Sequence, residues 1–102
     1  METRLPELGR FAEPALLILV SLGDGPRHGY AIMLDVESAT GRPMGPGTLY
    51  AALARLEERG LIERVADVLL DSIADTPSEL ATRLRTAFDE AMRARGEPEV
   101  AR

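Results

Sequence analysis

Glycine and proline divide this chain into segments that are long enough only for short helices and strands. They cluster at residues 23–26 (GDGP) and 41–47 (GRPMGPG), and Gly60 stands between two apolar runs. Glycine ends helices by taking the left-handed conformation past the C-terminus, and proline is accepted in a first helical turn but not inside a helix. The pattern predicts a helix over residues 13–22, a second from His28 to a stop at Gly41, and two more over 46–59 and 77–95.

The apolar spacing indicates which faces these helices bury. Leu49, Leu53 and Leu56 recur at intervals of four and three, which predicts one buried face on the third helix. Residues 15–20 are apolar on every face, so we expect the first helix to be covered on several sides, either by its own chain alone or also by a partner subunit. The second helix is expected to carry a broad core stripe of Tyr30, Ile32, Met33, Leu34 and Val36.

The chain after Gly60 is predicted to form a short strand over residues 61–65, which completes a helix-turn-helix core. Residues 66–75 fit either a return strand around 68–70 or a helical turn, and we prefer the helix. Thr76 is expected to cap the last helix, with Pro77 at its first position and Glu79 completing a capping box. That helix has one apolar stripe, a core or dimer seam, consisting of Leu80, Leu84, Ala87, Phe88, Ala91 and Met92.

Length and composition limit the class of protein. A chain of 102 residues makes one domain with a thin core, and because it has no cysteine we expect dimerisation to supplement that core. The net charge of −5 argues against a global positive field that coats nucleic acid, but not against a local basic face.

The longest apolar run is far shorter than the roughly 20 residues of a membrane helix, so we expect a cytoplasmic protein. With one histidine and no glycine-rich phosphate loop, we expect neither an enzyme nor a cofactor.

Two motifs make the chain similar to a known family. GPRHGY occupies residues 25–30 after the apolar first helix, and GTLY at 47–50 is followed by RLEERGLI at 55–62. Over residues 13–65 this pattern resembles the PadR family of bacterial transcription regulators. The resemblance implies a mainly α fold, namely a winged helix-turn-helix core with a C-terminal dimerisation helix and little β structure. It also implies a homodimer that represses detoxification, efflux or stress genes.

The exposed side of the third helix is small and polar at its N-terminal end, so we expect it to enter a major groove. There Thr48 and Arg55 would reach base edges or phosphates, and Tyr50 the sugar-phosphate backbone. Free N–H groups at the start of the second helix are expected to hold a DNA phosphate. As alternatives, Arg55 pairs with Glu58, and the tyrosines are core-edge aromatics. The predicted DNA-binding residues are Arg27, His28, Gly29, Tyr30, Gly47, Thr48, Tyr50, Ala51 and Arg55.

Residues 66–102 depart from the family pattern, in which a wing hairpin rich in arginine and tyrosine follows the third helix. No arginine lies between Arg64 and Arg83, so we expect a wing that is truncated, reshaped or lost, and weaker DNA binding as a result. The sequence is thus divided into an N-terminal arm (1–12), a helix-turn-helix domain (13–65), and an atypical wing region with the C-terminal dimerisation helix (66–102).

Two functional hypotheses follow. The first is a homodimeric repressor that responds to a small effector and binds pseudo-palindromic double-stranded DNA, with half-sites roughly 34 Å apart. The second is a wing-deficient interaction module that forms hetero-dimers with a related regulator and modulates it. A metal-ion effector would have to use His28 with carboxylates such as Glu13, Asp24 and Glu37, which have no recognisable ligand spacing, so we assign no metal site.

Overall fold

Four α-helices and one β-hairpin follow each other along residues 12–96, which are the residues that this computed structural model describes. The predicted N-terminal arm lies outside them except for its last residue. The fold class predicted above, mainly α with little β structure, is confirmed. The elements are α1 (Ala12–Leu22), α2 (Gly29–Thr40), α3 (Pro46–Glu58), β1 (Ile62–Val65), β2 (Val68–Asp71), a 3-10 turn (Ile73–Asp75) and α4 (Glu79–Gly96).

The predicted helix boundaries at the glycine and proline clusters are confirmed. Gly41 takes the left-handed conformation past the end of α2, with φ of 77°, and its N–H donates to the carbonyl of Glu37 over 2.8 Å. Pro46 is the first residue of α3, and Gly60 follows that helix with φ of 72°. Only glycine takes such positive φ values without a steric cost, so these positions explain where the helices stop.

The helix preferred for residues 66–75 was wrong for most of the segment, since only Ile73–Asp75 form a short 3-10 turn. The segment contains the return strand that was the alternative: β2 pairs antiparallel with β1 in the register Ile62 to Asp71 and Val65 to Val68. Ala66 and Asp67 connect the strands with φ of 50° and 71°, as a type I′ turn requires. In this strand Leu69 is completely buried in the hydrophobic core, which favours the strand.

The predicted cap of α4 was also wrong. The helix begins at Glu79, and the hydroxyl of Ser78 accepts a hydrogen bond from the N–H of Ala81 over 3.0 Å. The Thr76 hydroxyl instead donates to the carbonyl of Gly60 over 2.7 Å. Thr76 therefore connects the 3-10 turn to the residue that follows α3. Ser78 caps α4 instead, by accepting a hydrogen bond from an N–H group of its first turn.

The predicted core stripe of α2 was too broad. Ile32 and Val36 are buried and Met33 packs against the core, but Tyr30 is 66% exposed and Leu34 50% exposed. At about 100° per residue, Tyr30 and Leu34 share one side of the helix, roughly opposite Ile32. The α2 helix therefore presents two large apolar side chains to solvent.

The core is built around α1, which contacts α2, α3, β2 and α4. The prediction that this helix is buried on several sides is confirmed within the single chain. Its C-terminal end lies close to α4, since a Cβ built on Gly23 would be 2.7 Å from Cζ of Phe88 and 3.2 Å from Sδ of Met92. The buried members of α1 are Ala15, Ile18, Leu19, Val20, Ser21 and Leu22.

We predict that Ala66→Asn stabilises the protein. Alanine at φ of 50° is strained, and asparagine tolerates this conformation, so the free energy of unfolding should rise by about 1 kcal/mol. Denaturant unfolding measures the change. Ala74→Asn is the matched control, because Ala74 is exposed and has no positive φ. An equal effect of both substitutions would contradict the role assigned to the turn.

We also predict that Asp71 makes stability depend on pH. Burial raises the pKa of its carboxyl above 3.8, and the nearby Asp75 and Asp89 raise it further, against the hydrogen bond from the Ile73 N–H. A raised folded-state pKa gives stability that is present at low pH and is lost as the pH rises through that pKa. Asp71→Asn keeps an acceptor for Ile73, so it should be more stable than wild type at pH 7 and similar at pH 3.5. Denaturant unfolding at pH 7 and at pH 3.5 measures the free energy of unfolding. Glu90→Gln, at an exposed position of α4, is the control for the loss of one charge. A higher free energy of unfolding for wild type than for Asp71→Asn at pH 7 would contradict the prediction.

Candidate nucleic-acid interface

The two faces of α3 differ sharply in what they contact. The inner face, Leu49, Ala52, Leu53 and Leu56, is buried in the core. The outer face carries every α3 residue that was predicted to bind DNA, and all of them are exposed: Gly47, Thr48, Tyr50, Ala51 and Arg55. Because most of these side chains are small, the backbone of α3 can approach another surface closely.

The first N–H groups of α3 have no acceptor within the helix. Gly45 precedes the helix without a side-chain cap, and the first bond within the helix runs from the N–H of Leu49 to the carbonyl of Gly45 over 2.9 Å. The N–H groups of Gly47 and Thr48 precede that bond and point out of the helix end. With the positive end of the helix dipole, they favour a negatively charged neighbour such as a phosphate.

The start of α2 lies against α3. A Cβ built on Gly29 would be 3.6 Å from Cδ2 of Leu49 and 3.7 Å from Cε1 of Tyr50, so the α2 backbone packs directly on the Tyr50 ring. His28 precedes α2 in an extended conformation and is exposed, and its ring makes no capping hydrogen bond. The start of α2 thus lies beside Tyr50 of α3. We call the predicted DNA-binding residues at the start of α2 and on the outer side of α3 the α2–α3 face: His28, Gly29, Tyr30, Gly47, Thr48, Tyr50, Ala51 and Arg55.

Arg27 is held inside the chain by its own contacts. Its Nε donates to the carbonyl of Ser21 over 2.9 Å, and Nη2 lies 3.3 Å from Asp24 and 4.0 Å from Asp35. Its backbone exchanges two hydrogen bonds with Leu69, at 3.1 and 2.8 Å. Arg27 therefore joins α1, α2 and the hairpin, and it positions the start of α2. Its direct contact with DNA stays a prediction.

The hairpin of β1 and β2 follows α3 directly, where a wing is expected. This hairpin is short and has a two-residue turn, and its role as a truncated or reshaped wing stays a prediction. One contact there was not predicted: Nη2 of Arg64 on β1 lies 2.6 Å from Oε2 of Glu57 on α3. A spacing of seven residues across a helix end gave no signal for this ion pair.

The predicted dimerisation stripe of α4 lies partly in the core of its own chain. Leu84 and Ala87 are buried, and Phe88, Ala91 and Met92 are half-buried. The side chain of Leu80 is outside the described part of the chain. The buried members act as core residues, and the dimerisation role of the stripe stays a prediction.

An open cavity of about 230 Å³ lies between the start of α1, the end of α2 and the connector before α3. Leu17, Val36 and Met44 give it an apolar lining, and Thr48 reaches it from α3.

Within residues 12–96, no group of histidine, cysteine and acidic side chains is arranged to hold a metal ion. Over the same residues, no helix has the length and apolar character needed to cross a membrane.

Three short helices, with the third presenting an exposed polar face and followed at once by a β-hairpin, define a winged helix-turn-helix protein. A family model for the transcriptional regulator PadR-like family matches residues 18–68, which is half of the chain. The chain therefore belongs to the PadR-like family, as the sequence motifs predicted.

The chain was also compared with other proteins and with solved structures. The chain is 49% identical over 53 residues to an uncharacterized 37.1 kDa protein in transposon TN4556 from Streptomyces fradiae. The match covers 52% of this chain but only 15% of that protein, so the shared part is a small portion of the relative. The comparison with solved structures found no match.

We predict that Arg27 stabilises the fold more than an exposed arginine does. Arg27→Met keeps the apolar stem but leaves Asp24 and Asp35 without this guanidinium, so the free energy of unfolding should fall by about 1–2 kcal/mol. Arg42→Met is the control, because the Arg42 and Glu13 side chains are 76% and 71% exposed and such pairs contribute little. Chemical denaturation measures the free energy of unfolding of both variants. Equal decreases would show that the contacts of Arg27 contribute no more to stability than those of an exposed arginine.

Proposed function

We propose that this chain is a sequence-specific DNA-binding regulator that acts as a homodimeric repressor. The observation that carries the proposal is the α2–α3 face, where small and polar residues are exposed at the N-terminal end of α3 beside the start of α2. An α-helix with such a face fits the major groove, and the start of α2 is then available to a flanking phosphate. A cytoplasmic location is part of this proposal, because the protein must have access to DNA.

The homodimer and the effector are further parts of the proposal. Half-buried Phe88, Ala91 and Met92 on α4 support a dimer, because a second copy could complete their burial. The cavity beside Thr48 supports a small effector, since an occupant there would touch the first turn of α3. The hetero-dimer hypothesis was based on the expected loss of the wing. Because a hairpin is present after α3, this hypothesis has less support.

A mobility-shift assay on a duplex from upstream of the chain's own gene tests DNA binding. At about 50 mM salt, where phosphate contacts are strongest, we expect a shift that excess unrelated duplex does not remove. A shift that unrelated duplex removes equally would argue against sequence-specific recognition. No shift at this salt concentration would overturn the proposal.

We predict that Arg55→Gln weakens this binding. Losing a base or phosphate contact from the outer face of α3 should raise Kd roughly 5- to 150-fold. Arg93→Gln removes the same charge from an exposed position on α4, outside the α2–α3 face, and should change Kd much less. Titrations of both variants on the same duplex measure this, and equal effects would mean that only net charge matters.

A further inference from the structure

The hairpin after α3 carries an unusual charge balance for a surface placed beside DNA. Over residues 62–71 its one basic residue is Arg64, against the acids Glu63, Asp67 and Asp71. Asp67 lies in the two-residue turn, where a wing would come closest to the duplex. Arg64 is therefore the one side chain of this hairpin that can neutralise a phosphate.

That arginine is already paired within the chain. Its Nη2 lies 2.6 Å from Oε2 of Glu57 on the last turns of α3, which is the length of a strong charge-assisted hydrogen bond. The side chain of Arg64 is 45% exposed and that of Glu57 is 33% exposed, so water screens the pair only in part. Both groups remain accessible to an approaching polyanion.

We propose that Glu57 competes with DNA phosphate for Arg64 and thereby limits the affinity and the salt dependence of DNA binding. The inference rests on the proposed function, because it concerns the same DNA complex. An arginine neutralised by its own carboxylate displaces no counterion from DNA, and each phosphate contact that is made contributes about −0.9 to the slope of log K against log salt. Removing Glu57 adds one such contact for each bound subunit.

The neighbouring residue provides a matched control. Glu57→Gln and Glu58→Gln remove the same charge from adjacent positions of α3, and Glu58 is exposed. For Glu57→Gln, we expect a several-fold lower Kd than for Glu58→Gln at about 50 mM salt. The ratio of Kd at 200 mM to Kd at 50 mM should grow by about 3.5-fold for each subunit, and Glu58→Gln should leave that ratio unchanged.

Arg64→Gln gives an independent route that does not depend on the stability of the Glu57 variant. In the wild-type background it should leave the salt slope unchanged, because Arg64 contacts no phosphate there. In the Glu57→Gln background it should cancel the gain. Thermal unfolding of each variant verifies that it is folded.

Two results would overturn the inference. One is equal affinity and slope for Glu57→Gln and Glu58→Gln, which would reduce the effect to net charge. The other is weaker binding by Glu57→Gln, which would mean that Glu57 positions the hairpin for DNA. Failure of the proposed function is distinguishable, because the wild-type protein would then bind no specific duplex.

Discussion

A largely apolar helix must be covered on several sides, and α1 imposes this requirement on the whole chain. The other elements meet it by packing around α1: α2, α3, β2 and α4 all contact this helix, and Leu69 of β2 and Leu84 of α4 belong to the same core cluster. Because α3 uses its leucine face for this purpose, its opposite face has to lie outside. Burial of α1 thus decides which side of α3 is free to meet a partner.

The site depends on ties between elements more than on any single side chain. Backbone hydrogen bonds join Arg27 to Leu69, and the guanidinium of Arg27 joins the α1–α2 turn to α2. The start of α2 in turn rests on the Tyr50 ring of α3. These contacts hold the α2–α3 face and the hairpin in a fixed relation, so that one surface can meet both a groove and its flanking phosphates without an ordering cost.

Local chemistry predicted the helices well, because Gly41, Pro46 and the Leu49, Leu53, Leu56 spacing act within a few residues. It failed for the hairpin, because Ala66 and Asp67 lack the Asn-Gly signal that marks a type I′ turn, and only long-range burial of Leu69 decides the fold there. The exposed residues of α3 were predictable from its buried face. The internal pairing of Arg27 and of Arg64 was not, since it depends on which acids the tertiary structure brings near.

The central claim is that the α2–α3 face contacts DNA. Backbone amide chemical shifts of the labelled protein, titrated with the specific duplex, test it residue by residue. We predict the largest changes at residues 47–55 of α3 and at 28–30 at the start of α2, with smaller changes along the outer side of α4. Changes concentrated on α4, with residues 47–55 unaffected at saturation, would contradict it.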